Sequence, residues 1–163
     1  MSTLFLIVSD QHIPNLLSVH HYNPERLIVM ESPDMKRKNR LHNLLDALAL
    51  GGLDYRDRCD VLEVTDVSQP DSIRNIIADF FKNRETSGVI CNFTGGTKPM
   101  SIAAHEFFRE MGCRTVYIEA RKQDVIIDAA GGTTETIAYR PSIAEFCKGY
   151  GFDMLRSAER IKA

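Results

Sequence analysis

The sequence has no long apolar run. Nothing in its 163 residues approaches the roughly 20 apolar side chains of a membrane-spanning helix, so no membrane contact is expected. The opening residues, MSTLFLIVSD, lack the basic start and small-residue cleavage site of a signal peptide. They read as an initiator methionine followed by a first strand. A basic excess is missing too: 20 lysines and arginines stand against 22 aspartates and glutamates, for a net charge of −2. Proteins that coat nucleic acid through its phosphates carry such an excess, so direct DNA binding is not expected and any polyanion contact has to be local. The four cysteines, Cys59, Cys91, Cys113 and Cys147, form no C-x-x-C pair. His20 and His21 are adjacent, whereas metal-binding pairs on a helix sit three or four apart. No metal and no cofactor is expected, and free thiols fit a reducing cytoplasm. Neither a Walker loop, G-x-x-x-x-G-K-[ST], nor G-x-G-x-x-G occurs.

What is present suits one domain with a good core, at 44% hydrophobic and 26% charged residues. Short apolar runs alternate with helical patterns. TLFLIVS (3–9), RLIVME (26–31) and GVICNF (88–93) read as buried strands, and DVLEVTDV (60–67) and RTVYIEA (114–120) as two more. Helices are predicted at 13–22, 34–50, 70–84 and 99–112. Asp34 is the expected cap of the second, which turns Met35, Leu41, Leu44, Leu45 and Leu48 inward. The third buries Ile73, Ile76, Ile77, Phe80 and Phe81. Residues 123–139 read as two strands around Gly131-Gly132. The fold class is therefore α/β: a Rossmann-like, mostly parallel sheet with helices on both faces and a C-terminal β-hairpin, then a short helical tail. The domain is drawn at residues 1–139 and the tail at 140–163, broken near Gly149-Tyr150-Gly151. Ile143, Phe146, Tyr150, Phe152 and Leu155 give the tail an apolar face that needs a partner.

In an open α/β sheet, ligands sit at the carboxyl ends of the strands, where strand order reverses. Two loops suit that place: SDQHIPN (9–15) and NFTGGTK (92–98). Gly95 and Gly96 reach backbone conformations closed to other residues, so successive N–H groups can form an anion nest. The following helix adds its positive end, Pro99 suits its first turn, Lys98 adds a charge, and Thr94 and Thr97 add hydroxyl donors. The alternative is a tight strand–helix turn that needs glycine for packing. GGTT (131–134) nearly repeats the motif, but between two strands with no lysine, and reads as a plain hairpin.

CNFTGGTKPM resembles the signature of the CARF family, the CRISPR-associated Rossmann fold, in the form seen in effector nucleases of type III systems. IVSDQHIPNL (7–16) is similar to that branch's first ligand loop, and the resemblance covers residues 3–139. It implies a homodimer that binds a cyclic oligoadenylate, usually cyclic tetra-adenylate, across its two-fold cleft and so regulates a C-terminal effector. Matched to the family's motifs, the ligand-binding residues are Ser9, Asp10, Gln11, His12 and Ile13 in the first loop, and Asn92, Thr94, Gly95, Gly96, Thr97 and Lys98 in the second. Asp10 stands where close relatives often carry glutamate. SIAEFCKGYGF (142–152) is similar to the segment leading into the effector half, and no nuclease motif follows it. The tail then reads as the start of a missing effector module, or the chain as a standalone sensor.

Two functions stand side by side. One is a cytoplasmic sensor with no chemistry of its own, hence no catalytic residue. The other is a ring nuclease that cuts the ligand by metal-independent 2′-hydroxyl attack, with Lys98 stabilising charge and Ser9 or Thr97 orienting the ribose. A nucleotide or sugar-phosphate binder is a distant third. The basic run Lys36, Arg37, Lys38 and Arg40 reads as a solvated helix face, and Arg121-Lys122 as a second phosphate contact. His12 either stacks on a base, bonds a phosphate or faces solvent. His20 and His21 are expected on the surface, His105 and Met100 in packing, and Asp66 in a turn.

Overall fold

The computed structural model describes residues 2–119 and 125–154. Seven strands form one sheet: β1 (Thr3–Ile7), β2 (Arg26–Glu31), β3 (Cys59–Glu63), β4 (Val89–Asn92), β5 (Arg114–Ile118), β6 (Val125–Asp128) and β7 (Thr134–Thr136). Their order is β3-β2-β1-β4-β5-β6-β7. The first five are parallel, and β6 and β7 add an antiparallel edge. Among the described residues six α-helices accompany them: α1 (Ile13–Tyr22), α2 (Pro33–Arg37), α3 (Arg40–Leu50), α4 (Pro70–Phe81), α5 (Lys98–Glu110) and α6 (Ile143–Gly149). None of the described helices is long and apolar enough to cross a membrane.

Strand periodicity explains the two layers. In β1 the side chains of Phe5 and Ile7 enter one core with Ile73, Ile77 and Phe81 of α4 and Met100, Ala104 and Phe108 of α5. Leu4 and Leu6 enter the other, with Leu16 and Val19 of α1 and Leu44 and Leu48 of α3. Each of these side chains larger than alanine, fully withdrawn from water, contributes about 1.5–3 kcal/mol. Every residue of β1 is buried, which is why its run is apolar without alternation.

Several boundaries move. The predicted 34–50 helix is two helices, because Asn39 turns left-handed at φ 53° and breaks the spiral. Ser32, not Asp34, caps the first, its hydroxyl accepting from the Met35 N–H at 3.4 Å. The 60–67 strand is shorter and runs Cys59–Glu63. Beyond it the Asp66 carboxylate folds back to accept from the N–H and hydroxyl of Ser68, at 2.9 and 2.6 Å, so Asp66 is a turn residue as expected. The hairpin forms around Gly131-Gly132, with Gly132 at φ 64°. His20 and His21 are half-buried rather than open on the helix surface. His20 stacks on Tyr139 at 3.5 Å between centroids, and burial lowers its pKa; His21 lies 2.9 Å from Glu135. The local pattern of α1 does not reveal this, because both partners, Glu135 in β7 and Tyr139 beyond it, lie more than a hundred residues along the chain. His105 packs on Phe93, centroids 4.7 Å apart, and Met100 is buried.

Candidate ligand-binding site

The chain leaves β1 toward β2 on one side and returns to β4 on the other, so the switch point lies between β1 and β4. Both candidate loops open there, at the carboxyl ends of these two strands. Parallel pairing of Leu6 with Asn92 sets them side by side.

The loops interlock at Gly95. A methyl group built on it would lie 2.1 Å from the Ile7 carbonyl oxygen and 3.4 Å from the Ser9 hydroxyl, so only glycine lets the second loop cross the end of β1. Gly96 comes next, at φ 81° against the Ile7 side chain. Thr97 then caps α5, its hydroxyl accepting from the Met100 N–H at 3.5 Å. The Ser101 hydroxyl donates to the Gly95 carbonyl at 2.8 Å and fixes the loop to the first turn of the helix.

Beneath the loops lies a buried polar network that the pattern of residue types shows only in part. Asn15 donates to the Ile7 carbonyl at 2.8 Å. Asn92, fully buried, donates to the Ser18 hydroxyl at 2.9 Å and accepts from both the Thr94 N–H (3.1 Å) and hydroxyl (2.6 Å). The Thr94 hydroxyl in turn accepts from the Ile118 N–H at 2.8 Å. Asn92 and Thr94, expected to meet ligand, therefore clamp β4 to α1 and β5. Asn15 and Ser18, three apart on one face of α1, were the available signal: buried amides and hydroxyls signify partners.

Around the second loop, main-chain donors and one ammonium stay open. Gly96, Thr97 and Lys98 are exposed, and among the described residues their backbone N–H groups donate to no acceptor. The Lys98 side chain makes no ion pair there either. The Thr97 hydroxyl donates to the Val67 carbonyl at 3.3 Å, and Ser9 to the Gln11 carbonyl at 2.9 Å.

The first loop divides. Ser9, Asp10 and Gln11 are accessible; His12 and Ile13 are buried, at 3% and 7% exposure. Ile13 packs with Leu17, Val116 and Ile118, and His12 lies under α6. Asp10 receives Lys38 at 3.0 Å and Arg40 at 3.0 Å. The Lys38 hydrogen bond, helped by that of Arg40, holds its carboxyl below the usual carboxylate range against the opposing effect of burial. Two members of the basic run thus stand over the first loop instead of facing solvent alone. The left-handed turn at Asn39 puts them there, and no pattern of apolar residues announces it. Arg121 and Lys122 lie outside the described residues.

The model of the Card1 CARF domain family matches residues 3–146. The chain belongs to that family. No curated protein matches the sequence. Among solved structures, Can2 from Sulfobacillus thermosulfidooxidans, in complex with cyclic tetra-adenylate, is similar with a TM-score of 0.80 and 23% identity, over 93% of this chain and 42% of that one. Protein VC1899 from Vibrio cholerae gives 0.77 and 16%, over 92% and 39%. A type III CRISPR defence DNA nuclease activated by cyclic oligoadenylate gives 0.68 and 18%, over 90% and 23%. At these identities the likeness is one of fold, which the CARF domain here shares. The chain spans less than half the length of each of these proteins.

Proposed function

We propose that this CARF domain senses a cyclic oligoadenylate in type III CRISPR defence and, through the segment from residue 140 onward, regulates an effector. The ligand we assign is cyclic tetra-adenylate, held across a homodimer cleft in the cytoplasm, each protomer reading half of the ring. One observation carries the reading: consecutive amides at Gly96, Thr97 and Lys98 without an acceptor among the described residues, beside the Lys98 ammonium, at the switch point of a CARF sheet. Phosphate oxygens supply what those donors lack, and the local nest explains how a chain of net charge −2 binds a polyanion. Can2 was solved with this ring, which supports the choice.

The ring nuclease reading asks Lys98, Thr97 and Ser9 to converge on one phosphate and its ribose. The Thr97 and Ser9 hydroxyls are already donated to backbone carbonyls, which favours retention of the ring over cleavage.

Calorimetry with cyclic tetra-adenylate tests the site. Lys98→Ala removes a charge-assisted hydrogen bond and should weaken binding by roughly 10–100-fold, about 1.5–3 kcal/mol. Asp71→Ala, at the start of α4, should leave it unchanged. Equal affinities would remove the nest from the account. Chromatography after hours of incubation should recover the intact ring, and linear product would establish the nuclease. Light scattering should find a dimer.

Asp10 separates two roles. Acting as counter-ion to Lys38 and Arg40, it competes with the ligand for them, so Asp10→Asn should tighten binding a few-fold and steepen its salt dependence. Weaker binding would mean that the carboxylate touches the ring itself. The fold should barely notice: all three side chains reach solvent, and such ion pairs are worth about 0–1 kcal/mol.

A further inference from the structure

His12 is buried at 3% exposure, and among the described residues neither ring nitrogen has a hydrogen-bond partner. An imidazole so stranded is destabilising wherever it occurs, because both nitrogens lose water and gain nothing. What covers it is the C-terminal helix. Tyr150 meets the ring edge-on at 4.5 Å, and Phe146 lies at 5.9 Å. Gly149 comes closest: a methyl group on it would lie 2.1 Å from ring atoms, so any larger residue there forces the His12 ring to move.

The rest of the helix is held by polar anchors more than by apolar burial. Glu145 accepts from the Tyr139 hydroxyl at 2.5 Å, lies 3.5 Å from His20 and closes a capping box with Ser142. Lys148 reaches Asp46 at 3.4 Å. Ile143 and Phe146 remain 71% and 47% exposed. A seven-residue helix is thus seated on a ring that would be better solvated elsewhere, and the ring belongs to the loop that carries Ser9, Asp10 and Gln11.

We propose that α6 is a strap released by ligand: filling the first loop draws His12 from beneath α6 into the cleft, and α6 comes free. This rests on reading the cleft as a cyclic oligoadenylate site. Once withdrawn, the ring N–H donates to a phosphate or the ring stacks on an adenine, so the ligand offers His12 the partners that α6 withholds. That difference between the two states is what shifts the equilibrium.

Cys147, on α6, reports the seat, and fully buried Cys91 serves as internal control. Maleimide labelling of the full chain, read peptide by peptide, should speed up at Cys147 roughly tenfold when cyclic tetra-adenylate is added. His12→Leu fills the space without stranded nitrogens. It should slow ligand-free labelling and abolish the ligand's effect. Gly149→Ala, whose methyl collides with the ring, should label fast with or without ligand. Binding seen by calorimetry with no change at Cys147, or a His12→Leu variant that responds as the parent does, overturns the strap and leaves sensing intact. Failure of the parent to bind the ring removes the functional reading instead. The ligand-free order, Gly149→Ala fastest and His12→Leu slowest, then still decides whether α6 is poised, and three equal rates overturn it.

Discussion

Gly95→Ala should destabilise the protein by about 3 kcal/mol or more and abolish ligand binding with it. The methyl would arrive 2.1 Å from the Ile7 carbonyl oxygen. That oxygen cannot retreat, because it belongs to the central strand, is hydrogen-bonded by Asn15 at 2.8 Å, and β1 is paired on both sides. The loop has to lift instead, which breaks the Ser101 bond to the Gly95 carbonyl and moves the amides after it. Urea unfolding and calorimetry measure the two effects. Gly131→Ala is the control: its methyl meets nothing nearer than the Thr133 side chain at 3.8 Å, and it should change stability by less than about 0.5 kcal/mol. Similar losses in the two variants would mean that glycine serves the second loop only as flexible backbone.

That contrast shows what the sequence could and could not reveal. Gly95-Gly96 and Gly131-Gly132 differ in their surroundings, and the order of elements is enough to tell them apart: one pair stands between strand and helix with a lysine, the other between two strands. The same reasoning places both loops at the switch point. Strands buried on both faces are legible because RLIVME has no polar interruption, and its bounds, 26–31, are those observed. The strand expected at 60–67 is too long because its alternation continues through residues 64–67 after the chain has left the sheet.

The candidate site is legible as chemistry and less so as geometry. Gly96 takes the left-handed conformation expected of it, whereas Gly95 does not and is required instead by its close approach to the Ile7 carbonyl, the packing need of the alternative reading. Thr94 and Asn92, expected to face a ligand, lie inward, because a polar side chain at the end of a strand can equally satisfy the backbone of its neighbours. A pattern of residue types does not distinguish a donor aimed at a ligand from one aimed at the next strand. Lys38 and Arg40 are invisible for a different reason. Their place depends on one left-handed asparagine between two helices, and asparagine at such a site reads as an ordinary helical surface residue. His12 combines both difficulties, since α6, more than a hundred residues away, decides its surroundings.

Acid should loosen that region first. Burial, with a smaller effect of the Arg40 charge, lowers the His12 pKa from 6.5 to about 4. The unfolded or unseated chain therefore binds a proton that the seated one refuses. Above pH 6.5 His12 is neutral seated or unseated and adds no proton-linked cost; as pH falls from 6.5 toward 4 such a cost appears and grows, on the order of 3 kcal/mol. His20 and His105 are lowered by burial as well and act in the same direction. Burial opposes the ionised carboxylates of Asp46 and Glu145, but their hydrogen-bond and charge partners outweigh it and hold both low, as Lys38 does for Asp10. The share of these carboxylates is therefore lost only at lower pH. Between pH 6.5 and 4.5, backbone amides in α6 should lose protection against hydrogen exchange while those of β1, β2 and β4 keep theirs. In His12→Leu the loss of protection in α6 over that interval should shrink to what His20 alone contributes through Glu145. If α6 opens with acid as readily in the variant as in the parent, the strained contact is not at His12, and the anchor at Glu145 becomes the point on which the helix turns.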